Sequence, residues 1–448
     1  MSANIILEDK VNNKIEPFKK IIKPLRDLPG GNKGLWLNNL SLKKSMEAGD
    51  TVNISYDYDK KIVVVEKTEL LGNHIISYRK SDIKKTPILD IKNKSITELF
   101  KNVEKVEIQL FKNKLIIKTA TTEELRNQRK QIGFKTFELF CGGGTLTQMF
   151  KQAGFTPIGG LDIENKFLNM FEHNHKESKY TILSSLEDIV PSDYPKNVDI
   201  ALIGIPCVPY TKANINLTKA LINYENGIAT EKEMKLVRQK EDAETMTFFV
   251  LEAIRAMNVN TVIIEEVVEY SKTEACQWLR VMLKKFGYHI SETIATGSHS
   301  KRKRWALVAN MNKKINLENL IPNSNKTIED LLETPIDKRE WKTIDEVPRV
   351  LAASKKDKVG IRTVSPSDIK SNTFTTHGTR STEPILKHPT KELYSEFTNK
   401  EIANIHGLNN YELSNVKTLN RKILGQGVTD MFYHIALRLK NSIEKYGA

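Results

Sequence analysis

Cysteine is scarce in this chain: Cys141, Cys207 and Cys276 are the only three in 448 residues. Three positions so far apart cannot build a disulfide framework. None has a Cys or His neighbour at zinc-finger spacing, so neither a secreted disulfide scaffold nor a structural metal site is expected. Apolar runs are short as well, and none approaches the ~20 residues that a membrane span requires. The N-terminal MSANIILEDKVNNK puts Glu8 and Asp9 where a signal peptide has its apolar centre, which argues against secretion and for the cytoplasm. Low-complexity tracts are missing too.

Positive charge is what the chain has in excess: 69 Lys+Arg against 55 Asp+Glu, a formal +14. Such a balance favours polyanionic partners, nucleic acid first, because neutralising phosphates releases counterions. With 39% hydrophobic and 28% charged residues the composition is that of a globular protein, and at about 150 residues per domain the length suggests two or three domains. Residues 1–130 carry roughly +9 of the charge. Within them Thr51–Lys67 alternates apolar and polar residues around a turn at Asp57–Lys60, and Val103–Lys118 repeats the arrangement around Lys112–Lys114. The two hairpins predict a small, basic, β-rich domain, and TTEELRNQRKQ (Thr121–Gln131) reads as a short helix or linker leaving it.

From Phe134 strands alternate with helices. FKTFELF, TPIGGLDI, VDIALIGI, TVIIEEV and WALVAN read as apolar strands, with TLTQMFKQAGF and FFVLEAIRAM as helices between them. This predicts an α/β domain over 134–310 with a mostly parallel sheet covered on both faces. Residues 311–395 are polar and loop-rich, and 396–448 turn helical again.

Four places carry chemistry. In ELFCGGGTLTQMF a strand runs through three glycines into a helix, the geometry that lets a nucleotide-like cofactor approach the backbone at a helix N-terminus. Asp162 ends the next strand about 20 residues on, where a carboxylate can accept hydrogen bonds from ribose hydroxyls; neither a G-x-G-x-x-G nor a P-loop pattern is present. Gly204-Ile205-Pro206-Cys207 ends a buried strand, and a cysteine there is either a nucleophile or a buried structural thiol. In TVIIEEV, Glu265 and Glu266 stand at a strand mouth pointing to opposite sides, so one is expected to face the site and the other solvent or a partner. In SHSKRKRW, Arg302 and Arg304 share one side of an extended segment and can form a paired anion clamp; a solvated surface patch or a phosphate contact is the plainer alternative.

In this order and spacing the motifs resemble the S-adenosylmethionine-dependent DNA (cytosine-5)-methyltransferase family, from about Phe134 to Glu444. Phe140-x-Gly142-x-Gly144 matches the cofactor loop, Asp162-Ile163 the ribose-binding acid and its apolar neighbour, and Pro206-Cys207 the Pro-Cys nucleophile. Glu265-x-Val267 matches Glu-Asn-Val, and Arg302-x-Arg304 matches Arg-x-Arg. FTNKEIANIHGL and LGQGVTDMFYHIALRL are similar to the last two motifs. The resemblance implies a Rossmann-like methyltransferase fold with S-adenosylmethionine held by Phe140, Gly142, Gly144, Thr145, Leu146, Asp162, Ile163, Pro206, Gln426 and Val428. Ser185-Leu186 fits the adenine-binding position better than Asp188-Ile189. It further implies a target recognition domain over 311–395 and a return to the catalytic domain over 396–448. The pattern is departed from at Thr145, Val208, Tyr210-Thr211, Glu266, Ser300 and Gln426-Gly427, which support loops more than they carry chemistry.

The activity implied is methylation of cytosine carbon 5 in duplex DNA, through a Cys207–C6 adduct and a flipped base, with Glu265, Arg302 and Arg304 assisting. It fits a restriction–modification system with a cognate restriction endonuclease, or an orphan relative. A related branch methylates RNA such as tRNA, and a catalytically weakened DNA-binding regulator is a third reading; the long recognition segment and basic N-terminal domain favour duplex DNA. The turn in LNNLSLKKSMEAGDTV resembles the AbrB-type swapped-hairpin DNA-binding fold, which implies dimerisation of 1–130; a basic β-rich appendage is the plainer alternative.

Overall fold

The structure, a computed structural model, describes residues 16–38, 40–79, 85–131, 133–206, 215–354, 361–376, 378 and 383–445. The chain divides into two units, Met1–Gln128 and Arg129–Ala448.

In the first unit, alternation of apolar and polar residues produces antiparallel strands. They are β1 (Lys19–Pro24), β2 (Arg26–Leu28), β3 (Asn32–Asn38), β4 (Thr51–Asp57), β5 (Ile62–Lys67), β6 (His74–Ile75), β7 (Ile88–Ile91), β8 (Lys105–Phe111) and β9 (Lys114–Thr119), with helix α1 (Lys94–Leu99) before β8. The two hairpins read in the sequence are β4–β5 and β8–β9. They pair with each other through β5 and β9, giving a six-stranded sheet in the order β1-β8-β9-β5-β4-β6. A second sheet, β2-β3-β7, contributes Leu35, Leu37 and Leu89 to the same core as Val63, Val65, Ile108 and Ile117. Helix α2 (Thr121–Arg129) leads out.

The second unit is a seven-stranded sheet. Its strands are β10 (Lys135–Leu139), β11 (Thr156–Asp162), β12 (Tyr180–Leu183), β13 (Ile200–Gly204), β14 (Thr261–Glu266), β15 (His289–Ala295) and β16 (Arg304–Asn310). The order is β12-β11-β10-β13-β14-β16-β15; the first five are parallel, and β16 runs antiparallel to both neighbours. The chain winds outward from β10 through β11 to β12, then crosses back to β13 on the other side. The strand order therefore reverses between β10 and β13, where open α/β sheets hold ligands at their carboxyl ends.

Helices α3 (Thr145–Gln152) and α4 (Asn165–Asn174) follow β10 and β11; α5 (Ile215–Glu225) and α6 (Glu231–Met257) precede β14, and α7 (Glu274–Lys285) precedes β15. Strand alternation sorts the central residues between two cores. Leu202, Ile263, Ala306 and Val308 pack with Leu146, Met149 and Phe150 of α3, whereas Ala201, Ile203, Val262, Ile264 and Trp305 pack with Val250 and Ile254 of α6 and with Cys276 and Leu279 of α7. Edge strands β12 and β15 escape sequence reading because half of their residues are exposed or nearly so.

Residues 311–395 hold a short helix α8 (Pro348–Ser354) and a small sheet of β17 (Thr363–Val364), β18 (Ile385–Lys387) and β19 (Tyr394–Ser395). Ile315, Ile328, Val364 and Phe374 join the α3-side core, while Val347, Val350, Ile385 and Tyr394 form a small core of their own. Helices α9 (Asn399–His406), α10 (Lys417–Gln426) and α11 (Met431–Glu444) complete the α3-side layer. Among the described residues no helix is long and apolar enough to cross a membrane.

Candidate active site

Strand β10 ends in a turn with three left-handed residues in five: Phe140 (φ +56°), Gly142 (φ +51°) and Gly144 (φ +78°). The glycine at 144 is a steric requirement, because a Cβ there would lie 2.5 Å from His175 Nε2. Three groups pin the turn. Gly142 N–H donates to Asp162 Oδ2 at 2.7 Å, the Tyr411 hydroxyl donates to Gly143 O at 2.5 Å, and His175 Nε2 meets Gly144 O at 3.0 Å. A carbonyl only accepts, so His175 carries its proton on Nε2; burial holds its pKa down to about 4 and keeps it neutral.

Asp162, at the end of β11, also accepts from Glu164 N–H at 2.8 Å, and burial raises its carboxyl above the usual range. Beside it Ile163 is 67% exposed and turned into the cavity, an apolar platform for a planar ring. Glu138, one turn of strand before the glycines, is sealed in and accepts from both the backbone N–H and the hydroxyl of Thr147. Burial pushes its pKa up to about 8 against the pull of those two bonds.

Across the switch point, Glu265 at the end of β14 meets Arg304 at the start of β16. The antiparallel register sets Glu265 opposite Ala306, so Arg304 is its diagonal neighbour on the same face, and Arg304 Nε donates to Glu265 Oε1 at 2.7 Å. Arg302 takes other partners: its guanidinium donates to Phe374 O at 3.3 Å and Gln426 O at 3.2 Å. The paired clamp that the sequence allows is thus divided, because Arg302 precedes the regular strand and is drawn into the layer formed by α10. Arg304 faces the cavity, and Arg302 fastens the segments behind it.

Glu266 also departs from expectation. It shares the face of Ile264, which α6 and α7 cover, so it points into the core beside Tyr270 and Cys276 and not to solvent. One carboxyl oxygen accepts from Val267 N–H, and Oε1 is buried with no partner among the described residues. Burial lifts its pKa well above the carboxylate range.

These pieces line one cavity of about 610 Å³. Phe140, Gly142, Thr145, Leu146, Asp162, Ile163, Ser185, Leu186, Pro206, Glu265, Arg304, Gln426 and Val428 all border it; Gly144 and Arg302 stand behind its wall. Cys207, Val208 and Tyr210-Thr211 lie outside the described residues; Pro206, which precedes them in the chain, lines the cavity. Sequence reading missed Glu138 and the α6 residues Gln239, Asp242 and Met246, which also line the cavity. A strongly charged helix gives no local signal that one of its faces borders a pocket.

A profile of C-5 cytosine-specific DNA methylases matches residues 134–441. The chain belongs to that family. A type II methyltransferase of Thalassovita gelatinovora, M.AgeI, is 34% identical over 80 residues, which is 16% of this chain and 18% of that protein. The match therefore spans under a fifth of the curated relative. Among solved structures, the Dnmt2 methyltransferase of S. pombe shares 16% identity at a TM-score of 0.52 over 70% of this chain and 99% of its own. Entamoeba histolytica methyltransferase EhMeth shares 18% at the same TM-score over 70% and 99%. At these identities the likeness is one of fold.

Within the DNA methylase family the departure at Thr145 has a local explanation. Its hydroxyl accepts from Val428 N–H at 3.3 Å, and a Cβ at Gly427 would fall 2.9 Å from the same oxygen. The Thr145 side chain thus holds the loop entering α11, and Gly427 makes room for it.

Proposed function

We propose that the protein methylates carbon 5 of cytosine in duplex DNA, and that S-adenosylmethionine is its cofactor. The observation that carries this reading is the convergence of the pinned glycine turn, Asp162-Ile163, the Glu265–Arg304 pair and Pro206, the residue before Cys207 in the chain, on one cavity. The residues fit the cofactor: the cavity is large enough, Gly142 has open space where a Cβ would be, and Ile163 offers an exposed apolar face. Phe140, Gly142, Thr145 and Leu146 would border its methionine end, Asp162 its ribose, and Ile163, Ser185 and Leu186 its adenine. When bound it supplies an electrophilic methyl group.

The residues of the chain do the rest. Carbon 5 of cytosine is too electron-poor to take a methyl group until a thiolate adds at C6. Cys207 would supply that thiolate, and Arg304 the positive field that favours its charged form. Glu265, held in place by Arg304, would hydrogen-bond the ring N3 and exocyclic amine and stabilise the charge that develops there. Loss of the C5 proton then releases Cys207. The base must leave the stack to reach the cavity, at a cost of a few kcal/mol. Residues 311–395 serve as the target recognition segment in this account, and a restriction–modification setting supplies a cognate endonuclease.

Incubating the protein with labelled S-adenosylmethionine and either duplex DNA or tRNA tests the reading. Label in DNA that vanishes with Cys207→Ala supports it; label only in tRNA, or none in either, overturns it. Duplex containing 5-fluorocytosine is expected to trap a covalent adduct.

A further inference from the structure

We propose that the N-terminal unit carries a second nucleic-acid contact, a site for the phosphate backbone of duplex DNA built on Trp36, Lys23, Arg26 and Arg79. The tight turn Pro29-Gly30-Gly31 folds β2 back on β3 and sets Arg26 opposite Gly34, which has no side chain to block its neighbour Trp36. The Arg26 guanidinium carbon lies 4.4 Å from the centre of the indole. Arg79 approaches the same ring at 5.9 Å and Lys23 at 5.7 Å. Three cations therefore gather on one aromatic ring, each within the range where the ring's negative face attracts them.

Lys23 donates to the Trp36 carbonyl, but among the described residues no carboxylate pairs with Lys23, Arg26 or Arg79. Of the nearby acids, Asp27 pairs with Lys33 at 2.6 Å, and Asp90, the cross-strand partner of Trp36, pairs through Oδ2 with Lys92 at 2.7 Å, while its Oδ1 is buried with no hydrogen-bond partner among the described residues. Burial, and after it the charge of Arg26, lower the Lys23 pKa. Next to Arg79, Tyr78 is 43% exposed with Lys85 5.6 Å from its ring, which extends the basic, aromatic surface.

A phosphate is the anion that fits. A guanidinium stacked on an indole keeps its N–H groups free for an outside acceptor; Arg26 and Arg79 are exposed, and neither guanidinium hydrogen-bonds a described residue. The indole is occupied by cations, so it is no platform for an unstacked base; this favours the backbone of a duplex over single-stranded nucleic acid. The choice of DNA over RNA rests on the function proposed above.

The test uses the full chain and a fluorescent duplex without cofactor, with affinity measured across a salt series. Each phosphate contact contributes about 0.9 to the slope of log affinity against log salt, so Arg26→Ala with Arg79→Ala is expected to make it shallower by about 2. Binding at 0.1 M salt should weaken at least about tenfold. Arg26→Gln with Arg79→Gln keeps the stems over the indole, removes the charge, and should give the same shift; it decides the matter if the alanine pair melts early. An unchanged slope and affinity in the glutamine pair overturns the proposal, as does a shift seen with duplex RNA and not with DNA. Methyl transfer is scored separately on the unaltered chain, so the enzymatic reading and this one fail independently.

Discussion

Arg304 reaches across two antiparallel strands to donate from Nε to Glu265 Oε1 at 2.7 Å, with both side chains only about a tenth exposed (10% and 12%). A nearly buried carboxylate held by one guanidinium is fixed in direction, which is what a group that must hydrogen-bond a base edge requires. Glu265→Gln keeps the shape and loses the charge. Its turnover is expected to fall by roughly 100-fold or more while S-adenosylmethionine binding changes little. Arg304→Ala strands the carboxylate and should cost both turnover and about 3 kcal/mol of stability. Methyl-transfer kinetics and calorimetric cofactor titration on the two variants check this; unchanged turnover in Glu265→Gln removes Glu265 from the chemistry.

Glu138 makes stability depend on pH. Burial raises its pKa to about 8 from an ordinary 4.5, so between those values the folded chain holds a proton that the unfolded chain has released. Its contribution is full below about pH 4.5 and is lost as the pH rises toward 8. His175 and His406, held down at about 4 and about 3, impose the opposite slope below their ordinary 6.5. The difference between variant and parent isolates the carboxyl. The melting temperature of Glu138→Gln minus that of the parent should rise by more than about 5 °C from pH 5 to pH 8. Parallel curves would refute it.

Glu266 should tolerate loss of its charge. It lies in the α6–α7 core, where burial pushes its carboxyl well above the usual range, and a neutral amide of the same shape demands no titration. Stability due to its raised pKa is likewise lost as pH rises, so Glu266→Gln is expected to melt higher than the parent at pH 8 and near it at pH 5. Turnover should stay within about threefold. A large rate loss with normal melting would show that the acid acts on its neighbour Glu265.

The glycines of the cofactor turn should separate into two classes. At Gly144 a Cβ collides with His175, and at Gly143 it would lie 2.7 Å from the Tyr411 hydroxyl, so alanine at either should unfold the turn and cost about 2 kcal/mol or more. At Gly142 a Cβ meets nothing within 4 Å, and only the left-handed φ of +51° is strained. Gly142→Ala should therefore stay folded, at about 1–2 kcal/mol, yet bind cofactor at least about tenfold more weakly. Thermal melts beside cofactor titrations check both halves.

Much of this site could be read from the chain because its motifs are local. Strand ends with glycines, a carboxylate about 20 residues later and a Glu at the close of an apolar run are each fixed by residue type over a few positions. Glu138 was missed although it adjoins the glycines, since a Glu in a strand looks like an exposed one until Thr147 closes over it. The same limit hid α6, whose charged surface gives no hint that Gln239 and Met246 border the cavity.

By itself the sequence determined the parallel-sheet class, the two N-terminal hairpins and the order of motifs, because periodicity and turn chemistry act between neighbours in the chain. Only the tertiary structure decided which side of Glu265-Glu266 is covered, that Arg302 and Arg304 part company, and that three cations meet at Trp36. Those outcomes depend on which layer packs over each face, and burial is set by segments tens to hundreds of residues away.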